Sequence, residues 1–196
     1  MGLSHTTRVV SVFNVKFDIK DVQKLSKSLI KDLQSVKGAR AGVLDNKKRY
    51  PAEEGKEGML VKDVALINEF GAVIPVTPKM KGWFYHQGVQ KSNRPIVIPP
   101  RPFLRNTIKD NEKKWAKFVS NNFDADQDGG MTLKMIAGQL SEKMKEGIIN
   151  SINSDIPPPN SKFTVDHKRG STGTLRNTGY LRDSIENEVI KANDRT

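Results

Sequence analysis

Apolar and polar positions alternate in short runs near the N-terminus and settle into long helical stripes in the second half of the chain. In residues 9–19, Phe13, Val15, Phe17 and Ile19 share one face, while Asn14, Lys16 and Asp18 take the other. That period of two predicts a half-buried strand. Next, Val22, Leu25, Leu29, Leu33 and Val36 recur at steps of three and four, which predicts an amphipathic helix capped by Asp21 and stopped at Gly38. Residues 39–44 predict a second strand. Asp63 as N-cap and Gly71 as stop bound a short helix over 63–70. Residues 73–76 are short and β-like, and Thr77-Pro78 opens another short helix as a cap followed by proline. Residues 95–98 predict an edge strand.

The prolines at 99, 100 and 102 have no ladder donors, so they predict a rigid corner. That corner launches a long helix from 103 to about 123, with Leu104, Ile108, Trp115, Phe118 and Val119 on its apolar side. A second long helix over 131–152 carries Leu133, Ile136, Leu140, Met144 and Ile148 on one stripe. Residues 180–190 offer a last short apolar element. Polar, glycine-containing stretches predict a mobile loop around 45–58 and, after a triple proline, a flexible arm around 154–174. The expected architecture is one α+β domain over residues 1–196, a small mixed sheet packed with two long helices and carrying extended loops or arms.

Charge adds to this picture. The chain of 196 residues carries a formal +11, and hydrophobic residues make up only 36%. From Lys79 to Lys117 there are ten Lys or Arg against two acids (Asp110, Glu112), so this stretch alone holds +8. Trp83, Phe84, Tyr85, Phe103 and Trp115 lie within it. Interleaved cations and aromatics suit phosphate contact with stacking; alternatively the cations are a solvated helix face and the aromatics point into the core. By the apolar pattern Lys109, Lys113 and Lys117 are exposed helix positions, open to nucleic acid or an acidic partner. No run approaches the roughly 18 apolar residues of a membrane span, so no membrane partner is expected.

Candidate chemistry is sparse. Without cysteine there are no disulfides, thiolate zinc sites or cysteine nucleophiles, which fits folding in a reducing cytoplasm. His5, His86 and His167 lie at no metal-ligand spacing. Residues 124–129 open like a calcium loop, but Met135 stands where a bidentate glutamate must close the shell. An acidic turn between helices is the better reading, with no metal and no cofactor. Glu69 has no His, Cys or Lys companion at motif spacing, so it reads as a structural carboxylate bonded to a neighbouring backbone or to Arg101. No catalytic residue is identified, and an enzyme is not expected.

Three signatures remain. They are Asp63-Val-Ala-Leu-Ile-Asn-Glu-Phe-Gly71, Ile98-Pro-Pro-Arg-Pro-Phe-Leu-Arg105 and Leu175-Arg-Asn-Thr-Gly-Tyr-Leu-Arg-Asp-Ser-Ile185. In this order, with Ala39-Arg-Ala-Gly-Val-Leu44 and Val76-Thr-Pro-Lys-Met80 between and before them, the chain resembles the neck and tail-completion proteins of tailed bacteriophages, the virion-morphogenesis family. The resemblance covers residues 39–105 and 175–189. It implies a structural virion protein, assembled in the host cytoplasm as a hexameric or dodecameric ring at the head–tail junction or on top of the tail tube. Its partners would be further copies, other neck, tail-terminator or tail-tube proteins, and non-specific DNA in the channel. Glu69, Phe70, Gly71, Pro99, Arg101, Pro102, Phe103, Gly179 and Leu181 would then define the fold or contact neighbouring subunits, Arg101 offering a planar fork to a carboxylate. The alternative reading is a basic DNA-binding accessory protein.

Overall fold

A computed structural model of the chain describes residues 15–16, 35–45, 47–52, 57–89, 94–123, 131–168 and 170–192. In chain order its elements are β1 (Val15–Lys16), β2 (Val36–Gly42), α1 (Val61–Phe70), β3 (Ala72–Ile74), α2 (Pro78–His86), β4 (Ile96–Ile98), α3 (Phe103–Asn122), α4 (Leu133–Asn153), α5 (Lys162–Asp166), α6 (Tyr180–Asp183) and β5 (Glu186–Lys191). The α+β class expected from the sequence is what the chain adopts. Among the described residues the sheet is not mixed, however. Two small antiparallel sheets form, one in the order β1-β2-β5 and one a ribbon of β3 and β4. β5, the last strand, returns beside β2 in the register Ala39↔Val189 and Arg40↔Glu188.

The α4 stripe forms the centre of the core. Leu133, Ile136, Leu140, Met144 and Ile148 are all buried, as the periodicity predicts, and Ala137 and Ile152 join them. This helix lies against β2 and β5, with α3 packed on it. Ala39 and Ala41, fully buried on β2, are small enough to let a helix approach the sheet. On the opposite face Arg40 pairs with Glu188 across the strands. Between the helices, the buried Thr107 hydroxyl donates to Phe103 O at 2.7 Å and reaches Gly147 O of α4 at 3.2 Å. A side chain at Gly147 would press on Thr107 Cγ2 at 3.0 Å, so the glycine sets the helix spacing.

Several boundaries differ from the sequence reading. Val36 is not the end of a helix but the first residue of β2, buried and paired with Lys191; one apolar residue at the end of a stripe can equally open a strand. The expected strand over 9–19 is described only at Val15 and Lys16, paired with Ala39 and Gly38. The helix expected from Asp21 and the acidic turn at 124–129 lie outside the described residues, as do 46 and 53–56 of the predicted loop. What is described of that loop is tied at its base, Tyr50 N donating to Met59 O at 2.9 Å. α1 begins two residues before Asp63, with Leu60 as an N-cap that lends no side chain. Thr77 caps α2 as expected, accepting from Met80 N at 3.3 Å.

The largest departure is the tract expected as an extended arm. Residues 162–166 form a helical turn capped by Ser161, and the chain then folds back on itself. Ser171 N donates to Asn177 O, and Asn160 Nδ2 donates to Thr172 O and Gly173 O. Polar composition predicts an arm when the polar groups have only water to bond; here they bond one another.

Candidate functional site

The first two signatures meet at one buried corner. α3 starts after Pro102, which has no side-chain oxygen to cap it. Its first orphan N–H groups are instead met from another helix. The Glu69 carboxylate, 2% exposed, accepts from Leu104 N at 2.9 Å and Arg105 N at 3.1 Å. A negative group at a helix N-terminus also suits the helix dipole. Arg105 completes the arrangement: its Nε donates to Glu69 Oε1 at 2.9 Å, a terminal nitrogen donates to Glu69 O at 2.7 Å, and the guanidinium lies 4.8 Å above the Phe70 ring. Glu69 is thus a structural carboxylate on a neighbouring backbone, as the sequence suggests, but its cation is Arg105 and not Arg101. The reason is geometric: Arg105 stands one turn into the helix, above the carboxylate, while Arg101 precedes the helix and turns away.

Arg101 has a different task. Its backbone N–H donates to Asn68 O at 2.6 Å. Its side chain, almost fully buried, donates to Pro158 O from Nε at 3.2 Å and from a terminal nitrogen at 2.9 Å, and to Asn160 Oδ1 at 3.3 Å. Within the chain the planar fork therefore grips a carbonyl, as a fold-defining residue would. Gly71 closes the corner at φ 76° and ψ 172°, a region open essentially to glycine alone. A Cβ there would meet Ile98 O at 2.7 Å. Pro99 and Pro102 are half-buried, and Phe103 is fully buried in the core. Of the corner residues Phe70, Pro100 and Arg105 are open to solvent.

The third signature forms a second constellation. Gly179, left-handed at φ 83°, starts α6 and drives Leu181 into the core. The Tyr180 ring packs tilted against Tyr50, centroids 4.9 Å apart, and its hydroxyl donates to Arg49 O at 2.7 Å. Beside it, the Lys168 ammonium donates to Gly173 O and Arg176 O, and Arg176 pairs with Asp155. Asp155 is left-handed just beyond α4 and also accepts from Thr174 N at 3.0 Å. Burial, then the nearby Arg101 and Arg176 charges, pull the Lys168 pKa down. The bond to Arg176, then that from Thr174 N, hold the Asp155 carboxyl below its usual range. Burial, then Tyr180, push the Tyr50 phenol up to about 12. A cleft of ≈ 720 Å³ opens here, lined by Tyr50, Met59, Val64, Leu175 and Tyr180. The sequence reading missed this knot. Its only local signal is a positive charge run at 168–176 with one acid, Asp155, nearby in the fold.

Lys109, Lys113 and Lys117 are exposed on α3 as expected. With Arg105 they repeat every four residues, about 6 Å apart along the axis. The aromatics of the basic stretch divide. Phe103 and Trp115 are buried, whereas Trp83 and Tyr85 on α2 are exposed, contrary to the reading that places them in the core. α2 buries no residue, and its aromatics meet α5, where Phe163 packs against Trp83 and Phe84, and His167 stacks on Phe163 at 4.1 Å. Among the described residues no group of three His, Cys, Asp or Glu could hold a metal ion, and no helix is long and apolar enough to cross a membrane. The ionised side chains of both constellations are engaged in holding backbone, so what these arrangements do is fix corners. Comparison with known protein families, characterised proteins and solved structures finds no match to any of the three.

Proposed function

We propose that this chain is a structural subunit of the neck of a tailed phage, a connector or tail-completion ring that joins tail to head and surrounds the DNA channel. The observation that carries the reading is the buried corner. Residues 69–71 and 99–105, which resemble family signatures separately, turn out to be two halves of one rigid joint. The Lys109–Lys113–Lys117 stripe on α3 supplies the second element, an exposed cationic ridge. In a ring it faces the DNA or an acidic neighbouring ring, and contacts phosphates without reading bases. The partners are further copies of the chain and other neck, tail-terminator or tail-tube proteins, in a virion assembled in the host cytoplasm.

Replacing Lys109, Lys113 and Lys117 together by alanine tests this. Thermal unfolding should change little, because surface substitutions fall within about 0.5 kcal/mol each. Particles made with the variant should show unjoined heads and tails, or lost DNA, in electron micrographs. Infectious particles that lack the protein altogether would end the proposal. One observation favours a second reading, a DNA-binding accessory protein: Trp83 and Tyr85 are exposed in a stretch, 70–109, that contains no acid. Sequence-specific, salt-resistant DNA binding by the isolated chain would select it.

A further inference from the structure

The ribbon of β3 and β4 has a face that the fold leaves bare. Its register sets Ala72 opposite Ile98, Val73 opposite Val97 and Ile74 opposite Ile96, and Pro75 and Pro95 flank the paired residues at the end next to Ile74 and Ile96. Alternation places Val73, Val97, Pro75 and Pro95 on the same side. Val73 is 66% and Val97 65% exposed, and both prolines are exposed. The opposite side, Ala72, Ile74, Ile96 and Ile98, is half-buried. No polar or charged side chain stands on either face of these strands. A two-stranded ribbon is marginal by itself in water and needs cover.

The chemistry of the face decides what covers it. Prolines at 75, 95, 99 and 100 lack N–H groups, so the ribbon's edges are poor templates for an added strand, and a partner must meet the face. Nucleic acid and acidic proteins are recognised by cations and donors, which this face does not have. The bare area is roughly 300–400 Å², the size of the largest patch on an ordinary monomer. That is at most about half of the ~800 Å² each partner brings to a stable interface. A contact so small does not hold a lone pair, but it suffices when the same contact recurs around a closed ring. We propose that the outward face of the β3–β4 ribbon is the surface through which one copy of this chain packs against the next, an inference that rests on the ring reading above. Its signature is an inverted salt dependence. Copies at +11 repel, and an uncharged contact gains when salt shortens the screening length from ~10 Å at 0.1 M to ~3 Å at 1 M.

The test uses the full-length purified chain, followed by sedimentation at about 0.1 and 1 M NaCl. Self-association should strengthen at high salt and weaken roughly tenfold or more in V97K. V97T, which keeps the β-branched shape, should fold and melt like the wild type and associate between the two. Because the chain has no cysteine, a photo-crosslinker attached to V97C marks one position only and should capture a second copy. Rings that form as well in V97K overturn this contact and leave the ring reading standing. A wild-type chain that stays monomeric at both salt concentrations overturns the contact, and the particle experiment then decides the ring reading separately. Association that needs added duplex DNA or anionic vesicles, and is lost with salt, assigns the face elsewhere and also overturns it.

Discussion

Replacing Glu69 isolates the corner from the rest of the fold. Glu69→Ala strips the acceptor from two backbone N–H groups at the start of α3, where Pro102 offers no substitute. Loss of a helix cap costs about 1 kcal/mol, and stranding a buried donor costs about 1–3 kcal/mol. Removing a carboxylate from a helix N-terminus adds about 0.3–1 kcal/mol. Together these give about 3 kcal/mol, which lowers Tm by about 6–12 °C in a chain of this size. Glu69→Gln keeps one acceptor oxygen and gives up the charge, so it should cost about 1–1.5 kcal/mol. The ion pair itself is a small part, because the Arg105 side chain is 55% exposed and screened; Arg105→Ala should cost no more than about 1 kcal/mol. Urea unfolding with an unchanged m-value measures all three. If Arg105→Ala costs as much as Glu69→Ala, the pair and not the cap holds the corner, and this reasoning is wrong.

Gly71→Ala should destabilise by about 3 kcal/mol or more, since it combines a glycine-only backbone conformation with a clash against Ile98 O; a melting temperature within a degree or two of wild type would refute it. Arg101→Ala leaves Pro158 O and the Asn160 side chain without their donor and should cost about 2–3 kcal/mol. Arg101→Lys should recover less than half of that loss in the same urea assay, because an ammonium cannot reproduce the fork. Tyr50 has a folded pKa raised from 10.0 to about 12, so its contribution is complete below pH 10 and is lost as pH rises through 12. Ultraviolet titration should show one late-ionising tyrosine that disappears in Tyr50→Phe, with stability falling across that window.

The helices were legible because burial and periodicity coincide. Every apolar residue of the α4 stripe points where a period of 3.6 sends it, and Thr77-Pro78 announces its helix by local chemistry alone. The corner was half legible. A carboxylate without a catalytic companion reads as structural, and an uncapped helix after Pro102 demands an acceptor from elsewhere. Which arginine would meet Glu69 depends on the helix phase across a gap of more than thirty residues, which no local pattern encodes. The folded-back tract at 160–177 was illegible for a related reason. Its carbonyls are satisfied by Lys168 and Asn160, and a sequence of polar residues looks the same whether it bonds water or itself. Trp83 and Tyr85 misled in the other direction, because aromatic identity predicts burial only on average.

The Glu69 cap acts across 35 positions of chain, and none of the described residues from 72 to 98 within that span is buried. The joint closes as soon as α1 and α3 dock, whatever lies at the tip of the excursion. Lengthening such a tip is inexpensive, since loop-closure entropy grows only with the logarithm of its length. Residues 72–98 are therefore free to drift, by substitution or insertion, without revising the packing beneath them. The joint and the bare ribbon face therefore sit on separate stretches of the chain, and the second can change while the first stands.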